Sequence, residues 1–100
     1  MKTGNFHEYL IETLKNQKTA CIHLNVALEE YQKDGDIEAF LLALRDVAEA
    51  RGGVSGLAVK TKLNRQNLYK VLSGKGNPTM STLGNVLNGL GFHLMIKANR

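Results

Sequence analysis

The sequence predicts an all-α fold of five to six short helices with one short strand at the C-terminal end. Three observations predict it. Apolar residues recur at i, i+3, i+4 and i+7 along most of the 100 residues, the period of a helix with one buried face. Each periodic segment is bracketed by a residue that caps helices or by glycine. Only residues 92–97 alternate instead, which is the strand period.

Phe6, Tyr9, Leu10 and Leu14 mark a first short amphipathic helix. Thr19 is the expected cap of a second. Its main stripe is Ala20, Leu24, Ala27, Leu28 and Tyr31, while Ile22 and Val26 give it a second apolar side. Asp34-Gly35-Asp36 breaks the pattern, and Asp36 is the expected N-cap of the next helix, which carries Ile37, Phe40, Leu41, Leu44, Val47 and Ala48. Gly52-Gly53 ends that helix. Ser55 is expected to cap a short helix over 56–62, and Asn64 another over 65–73. Residues 74–78 read as a loop. Thr79 caps a last helix with Met80, Leu83, Val86, Leu87 and Leu90 on one stripe, stopped by Gly91. Phe92 to Lys97 leaves no room for a further helix. A lone strand needs an edge to pair with, so Phe92, Leu94 and Ile96 are expected to meet the same strand of a second copy in a homodimer. The core is expected in residues 37–90. The division is a helical extension over 1–33 and a second unit over 34–100.

Charge separates the same halves. Residues 1–51 hold nine Asp or Glu against six Lys or Arg; residues 52–100 hold seven Lys or Arg and no acid. A solvated helix face would explain a mild bias, but not 49 consecutive residues without a carboxylate. A one-sided field of this kind is the footprint of a polyanion-binding surface. No run of 18 apolar residues spans a membrane. The N-terminus lacks an uninterrupted apolar signal segment, and the single cysteine, Cys21, forms no internal disulfide. A cytoplasmic protein is expected.

Two short helices joined by Lys62-Leu63-Asn64 match a helix-turn-helix. Leu57, Leu63, Leu68, Val71 and Leu72 are spaced to bury the pair. The second helix then presents Arg65, Gln66, Asn67, Tyr69 and Lys70 outward. Gln and Asn bond adenine on two atoms, and Arg does the same with guanine. Lys60, Lys62 and Lys75 suit phosphates, which position a protein without specifying sequence. Ser55, Asn64 and, after the loop, Asn77 complete the expected DNA-binding set, with helix N-termini offering amides to phosphate.

At this point the chain resembles a family. "LAVKTKLNRQNLYKVLSGKGNPTMSTLGNVLNGLG" is similar to the Xre-type helix-turn-helix of phage repressors. More narrowly, "AFLLALRDVAEARGGVSGLAVKT" followed by "LYKVLSGKGNPTMSTL" resembles the addiction-module antidote proteins, HigA-like antitoxins encoded beside a small RelE/ParE-type toxin. The resemblance covers about residues 26–97. It implies a lambda-repressor-like core, repression of the protein's own operon at double-stranded operator DNA, and direct binding of the toxin. The chain departs from the family pattern at Lys62, where the tight turn usually has glycine. A left-handed backbone there costs lysine roughly 1 kcal/mol over glycine.

With such a toxin as partner, the acidic first half is the expected contact, anchored by Phe6, Tyr9, Leu10 and Leu14 with Glu8 and Glu12 beside them. Two other classes stand beside the antitoxin: a stand-alone phage-like repressor with no toxin, and an interaction module whose charge is incidental. The basic half argues against the module, and the acidic extension argues against the stand-alone repressor. Catalysis is not expected. Cys21 and His23 stand two apart and face different sides of a helix, and there is no CxxC or HxxxH pair to hold a metal. Lys75 between two glycines lacks the spacing of a phosphate-binding loop. No cofactor is expected.

Overall fold

A computed structural model describes residues 5–99. They form six α-helices: α1 (Asn5–Thr13), α2 (Gln17–Asp34), α3 (Glu38–Ala50), α4 (Gly53–Thr61), α5 (Arg65–Lys70) and α6 (Met80–Gly89). A π-type turn, Val71–Lys75, closes α5. Among the described residues no helix is long and apolar enough to cross a membrane.

α3 is the centre because its one broad apolar face takes the packing of most other elements. Phe40, Leu41, Ala43, Leu44, Val47 and Ala48 are all buried, and α1, α2, α4 and the π-type turn pack on it. α4 carries the packing onward to α5 and α6. Leu57, Leu68, Val71, Leu72, Val86, Leu87 and Leu90 complete that side. The close fit of the turn on α3 depends on Gly74, which has φ +86°; a Cβ there would stand 3.0 Å from Glu38 Cγ and 3.2 Å from Leu42 Cγ.

The core reaches further back than residue 37. Leu14, Ala20 and Leu24 are buried in the same cluster as α3. The ends of the chain are tied together as well. Arg51 donates from Nη1 to the Lys15 carbonyl at 3.2 Å and stacks 5.8 Å over the Phe92 ring. Gln17 donates to the Gly91 carbonyl at 3.3 Å.

Several expected boundaries shift. The cap of α2 is Asn16, not Thr19: Asn16 Oδ1 accepts from the Thr19 amide at 3.0 Å. The N-cap of α3 is Ile37, not Asp36, and it makes no side-chain cap bond, although Asp36 Oδ1 accepts from the Glu38 amide at 3.0 Å. α4 begins at Gly53 with no side-chain cap, so Ser55 lies inside its first turn rather than ahead of it. Asn64 and Thr79 cap α5 and α6 as the sequence predicts. Met80, at the start of the last stripe, is exposed.

The C-terminal strand is a correction. Among the described residues after Gly91 there is no regular structure. A strand needs a ladder of backbone partners, and a helical chain offers none. Phe92 is occupied within its own chain: its amide donates to the Leu87 carbonyl at 2.8 Å, and its ring packs on the core. Leu94, Met95 and Ile96 are exposed.

Candidate nucleic-acid interface

The link between α4 and α5 is held by side-chain bonds that spacing alone does not reveal. Among the described residues, Thr61 is the one buried polar residue of the core. Its hydroxyl donates to the Leu57 carbonyl at 2.8 Å and accepts from the Leu63 amide at 3.2 Å. Its carbonyl accepts from Asn85 Nδ2 of α6 at 3.2 Å. Lys62 follows in the left-handed region, φ 60° and ψ 20°, and its amide donates to the Ala58 carbonyl at 2.9 Å. It is the only non-glycine residue with positive φ among those described. Asn64 Oδ1 then accepts from the amides of Gln66 at 2.7 Å and Asn67 at 3.3 Å, starting α5. From behind, α6 approaches α4 at Gly89, where a Cβ would stand 2.7 Å from Thr61 Cγ2 and 2.8 Å from Leu57 Cδ1. The result fixes the direction in which α5 emerges.

One side of α5 is anchored by Leu68, 1% exposed. Arg65, Gln66, Asn67, Tyr69 and Lys70 are exposed around it. The Arg65 guanidinium lies 6.0 Å over the Tyr69 ring, one turn away, which narrows its freedom and directs its donors. Asn67 and Lys70 line one cleft with Asn77, Pro78 and Thr79 from the following loop. The Ser73 hydroxyl donates to the Lys70 carbonyl at 2.7 Å and accepts from the Lys75 amide at 3.4 Å, shaping that loop. Lys75 is exposed beyond it.

The other predicted positions fall differently. Asn64 Oδ1 is occupied by its capping bonds, leaving only the amide nitrogen free. Ser55 is exposed within α4. Lys60 is not grouped with α5: it lines a separate cleft with Lys15, Arg51, Asn85 and Asn88. Of the first-helix stripe, Phe6 and Tyr9 are 76% and 69% exposed, whereas Leu10 is half-buried and Leu14 is completely buried, where no partner reaches it. Ile22 and Val26, the second apolar side of α2, are exposed too.

Sequence reasoning missed Thr61 and a cluster of side chains between α1, α2 and α3. His7 of α1 meets Glu49 of α3 at 3.3 Å, and His23 of α2 faces Asp46 of α3 at 3.9 Å. Burial pushes the Asp46 carboxyl above its ordinary value, against the pull of Arg45, His23 and His7. Residues 42 and 23 apart in sequence carry no periodic signal of such contacts.

A family model described as "probable addiction module antidote protein" matches residues 5–98, nearly the whole chain. The chain belongs to this family. The match extends through α1 and α2, so the N-terminal helices are part of the antidote pattern and not an addition to it. An uncharacterized protein of Haemophilus influenzae is similar to it, 36% identical over 89 residues, which is 89% of this chain and 87% of that protein. No solved structure matches the chain. Membership of an antidote family implies a toxin partner of some kind.

Proposed function

We propose that this antidote is the antitoxin of a type II toxin–antitoxin module. It is a non-enzymic, cytoplasmic homodimer. It represses its own operon through an Xre-type, lambda-repressor-like helix-turn-helix formed by α4 and α5, and it neutralises a small RelE/ParE-type toxin by direct binding. The observation that carries the DNA reading is the exposed face of α5. Arg65, Gln66, Asn67 and Lys70 project from a helix whose entry is fixed by Thr61 and Asn64, in a half of the chain with no carboxylate side chain. Gln66 and Arg65, at the first turn, reach base edges; Lys62, Lys70 and Lys75 meet phosphates. A dimer places two such helices about 34 Å apart, one DNA turn. Leu94 and Ile96, exposed at the C-terminal end, supply apolar surface for the second copy.

The toxin surface contracts to the exposed part of α1. Phe6 and Tyr9 anchor, and Glu8 provides charge that suits a basic partner. Titration of promoter DNA tests the DNA reading. Lys62, Lys70 and Lys75 give about six phosphate contacts per dimer, so affinity falls by about 10³-fold between roughly 50 and 200 mM salt. Gln66→Ala loses about 1–3 kcal/mol on the correct site and little on random DNA, while Lys75→Ala weakens both alike. Binding that ignores salt, or a Gln66→Ala protein with undiminished site preference, overturns this reading.

A further inference from the structure

We propose that His7, Asp46 and Glu49 form a binding site for a divalent transition-metal ion, zinc by preference, at the junction of α1 and α3, with His23 of α2 positioning Asp46. Asp46 and Glu49 are three apart on α3 and share one face. Burial of Leu14 in the core lays α1 along that face and brings His7 to it. One ligand atom from each of the three residues lies within 4.8 Å of the others. His7 Nε2 and Glu49 Oε2 stand 3.3 Å apart. Donors around a tetrahedral zinc, with bonds of about 2.0–2.2 Å, are themselves about 3.3–3.6 Å apart. The first pair is therefore already at ligand spacing, and Asp46 has to close by no more than about 1.5 Å.

His23 supplies a second, independent observation. Its Nε2 is buried and has no hydrogen-bond partner. It faces Asp46 Oδ2 at 3.9 Å, too far for a hydrogen bond. A buried nitrogen without a partner is costly and uncommon. Ligating carboxylates ordinarily accept a bond from an outer partner that fixes their orientation. Small rotation of Asp46 toward an ion lets the His23 N–H donate to its other oxygen and satisfies both.

The donor set selects the ion. Calcium and magnesium take oxygen ligands, whereas imidazole with carboxylate suits zinc and its neighbours. Two carboxylates balance the ion's double charge, and His7 binds as the neutral ring. The His7 and Glu49 side chains are 52% and 51% exposed, which leaves room for water to complete the coordination. As plain ion pairs, half-exposed groups like these contribute little. An ion would do more: α1 buries none of its own nine residues, and the site cross-links it to α3.

The test uses the full, untagged chain carrying Cys21→Ser, because the exposed Cys21 thiol is itself a zinc ligand type. Calorimetric titration with Zn²⁺ is expected to show one ion per chain that excess Mg²⁺ does not displace. The imidazole NMR signals of His7 and His23 shift and those of His93 do not, and amide exchange in α1 slows. Glu49→Gln and His7→Ala, both at exposed positions and with unchanged helicity by circular dichroism, lose the binding. His23→Ala weakens it about 10–100-fold, and His23→Gln, which keeps a donor, recovers part of that. Failure of the unsubstituted site to bind Zn²⁺, or binding that survives Glu49→Gln and His7→Ala, overturns the assignment and leaves two ion pairs.

Discussion

Replacing Lys62 by glycine should strengthen the fold and weaken DNA binding at once. Lys62 holds φ 60° and ψ 20°, and an L-residue with a Cβ is less stable there by about 1–2 kcal/mol. Its side chain is exposed and makes no hydrogen bond or ion pair among the described residues. Removing it therefore costs the folded state almost nothing. Glycine widens the unfolded ensemble, which offsets about 0.4–1 kcal/mol of the gain. The net is a stabilisation of about 0.5–1 kcal/mol, or about 2–8 °C in Tm for a domain of this size. Lys62→Ala is the control: it keeps the Cβ and the strain but removes the charge. Urea denaturation of the three proteins at one concentration measures the first effect. Fluorescence anisotropy on promoter DNA across a salt series measures the second, where both variants should lower the salt slope by about one per protomer. A Lys62→Gly protein no more stable than Lys62→Ala would refute the strain argument. An unchanged slope would show that the ammonium meets no phosphate.

Two further outcomes follow from contacts around the same core. Gly89→Ala drives a Cβ to 2.7 Å from Thr61 Cγ2 and should destabilise by about 1–3 kcal/mol. Gly84→Ala, in the same helix with open space around it, should instead stabilise by up to about 1 kcal/mol; thermal melts that rank the two alike would show that α4 and α6 are not packed this closely. Leu14→Ala should cost about 2–5 kcal/mol of stability, whereas Phe6→Ala stays within about 0.5 kcal/mol but releases the toxin in co-purification. Retention of the toxin by a Phe6→Ala, Tyr9→Ala double variant would move its contact elsewhere.

Much of this protein was legible along the chain because helices are governed by local rules. The period of Phe40, Leu41, Leu44, Val47 and Ala48 gave α3 its buried face. Asn64 and Thr79 announced α5 and α6, since a cap acts on amides two or three residues ahead. Lys62 could be marked as a strained position because the family that the chain resembles usually has glycine at this turn, and the structure gives it φ 60°. The exposed set on α5 followed from the same period that buries Leu68. Boundaries were less secure where two local candidates competed: Asn16 and Thr19 are both good caps, and the pattern does not rank them.

Tertiary structure decided whatever depends on which helices meet. Leu10 and Leu14 belong to one stripe with Phe6 and Tyr9 in the sequence, yet docking of α1 on α3 buries Leu14 and leaves the other end in water. The alternation of Phe92, Leu94 and Ile96 predicts a strand, but a strand is a property of two chains of backbone, and the helical core gives it no partner. The Thr61 hydroxyl, the close approach at Gly89 and the grouping of His7, His23, Asp46 and Glu49 arise from the crossing of separate helices. Sequence determined each helix and the face it would bury, because those depend on neighbours within a turn or two; packing alone determined which faces meet and which side chains remain for a partner, because burial is shared between elements that the chain keeps far apart.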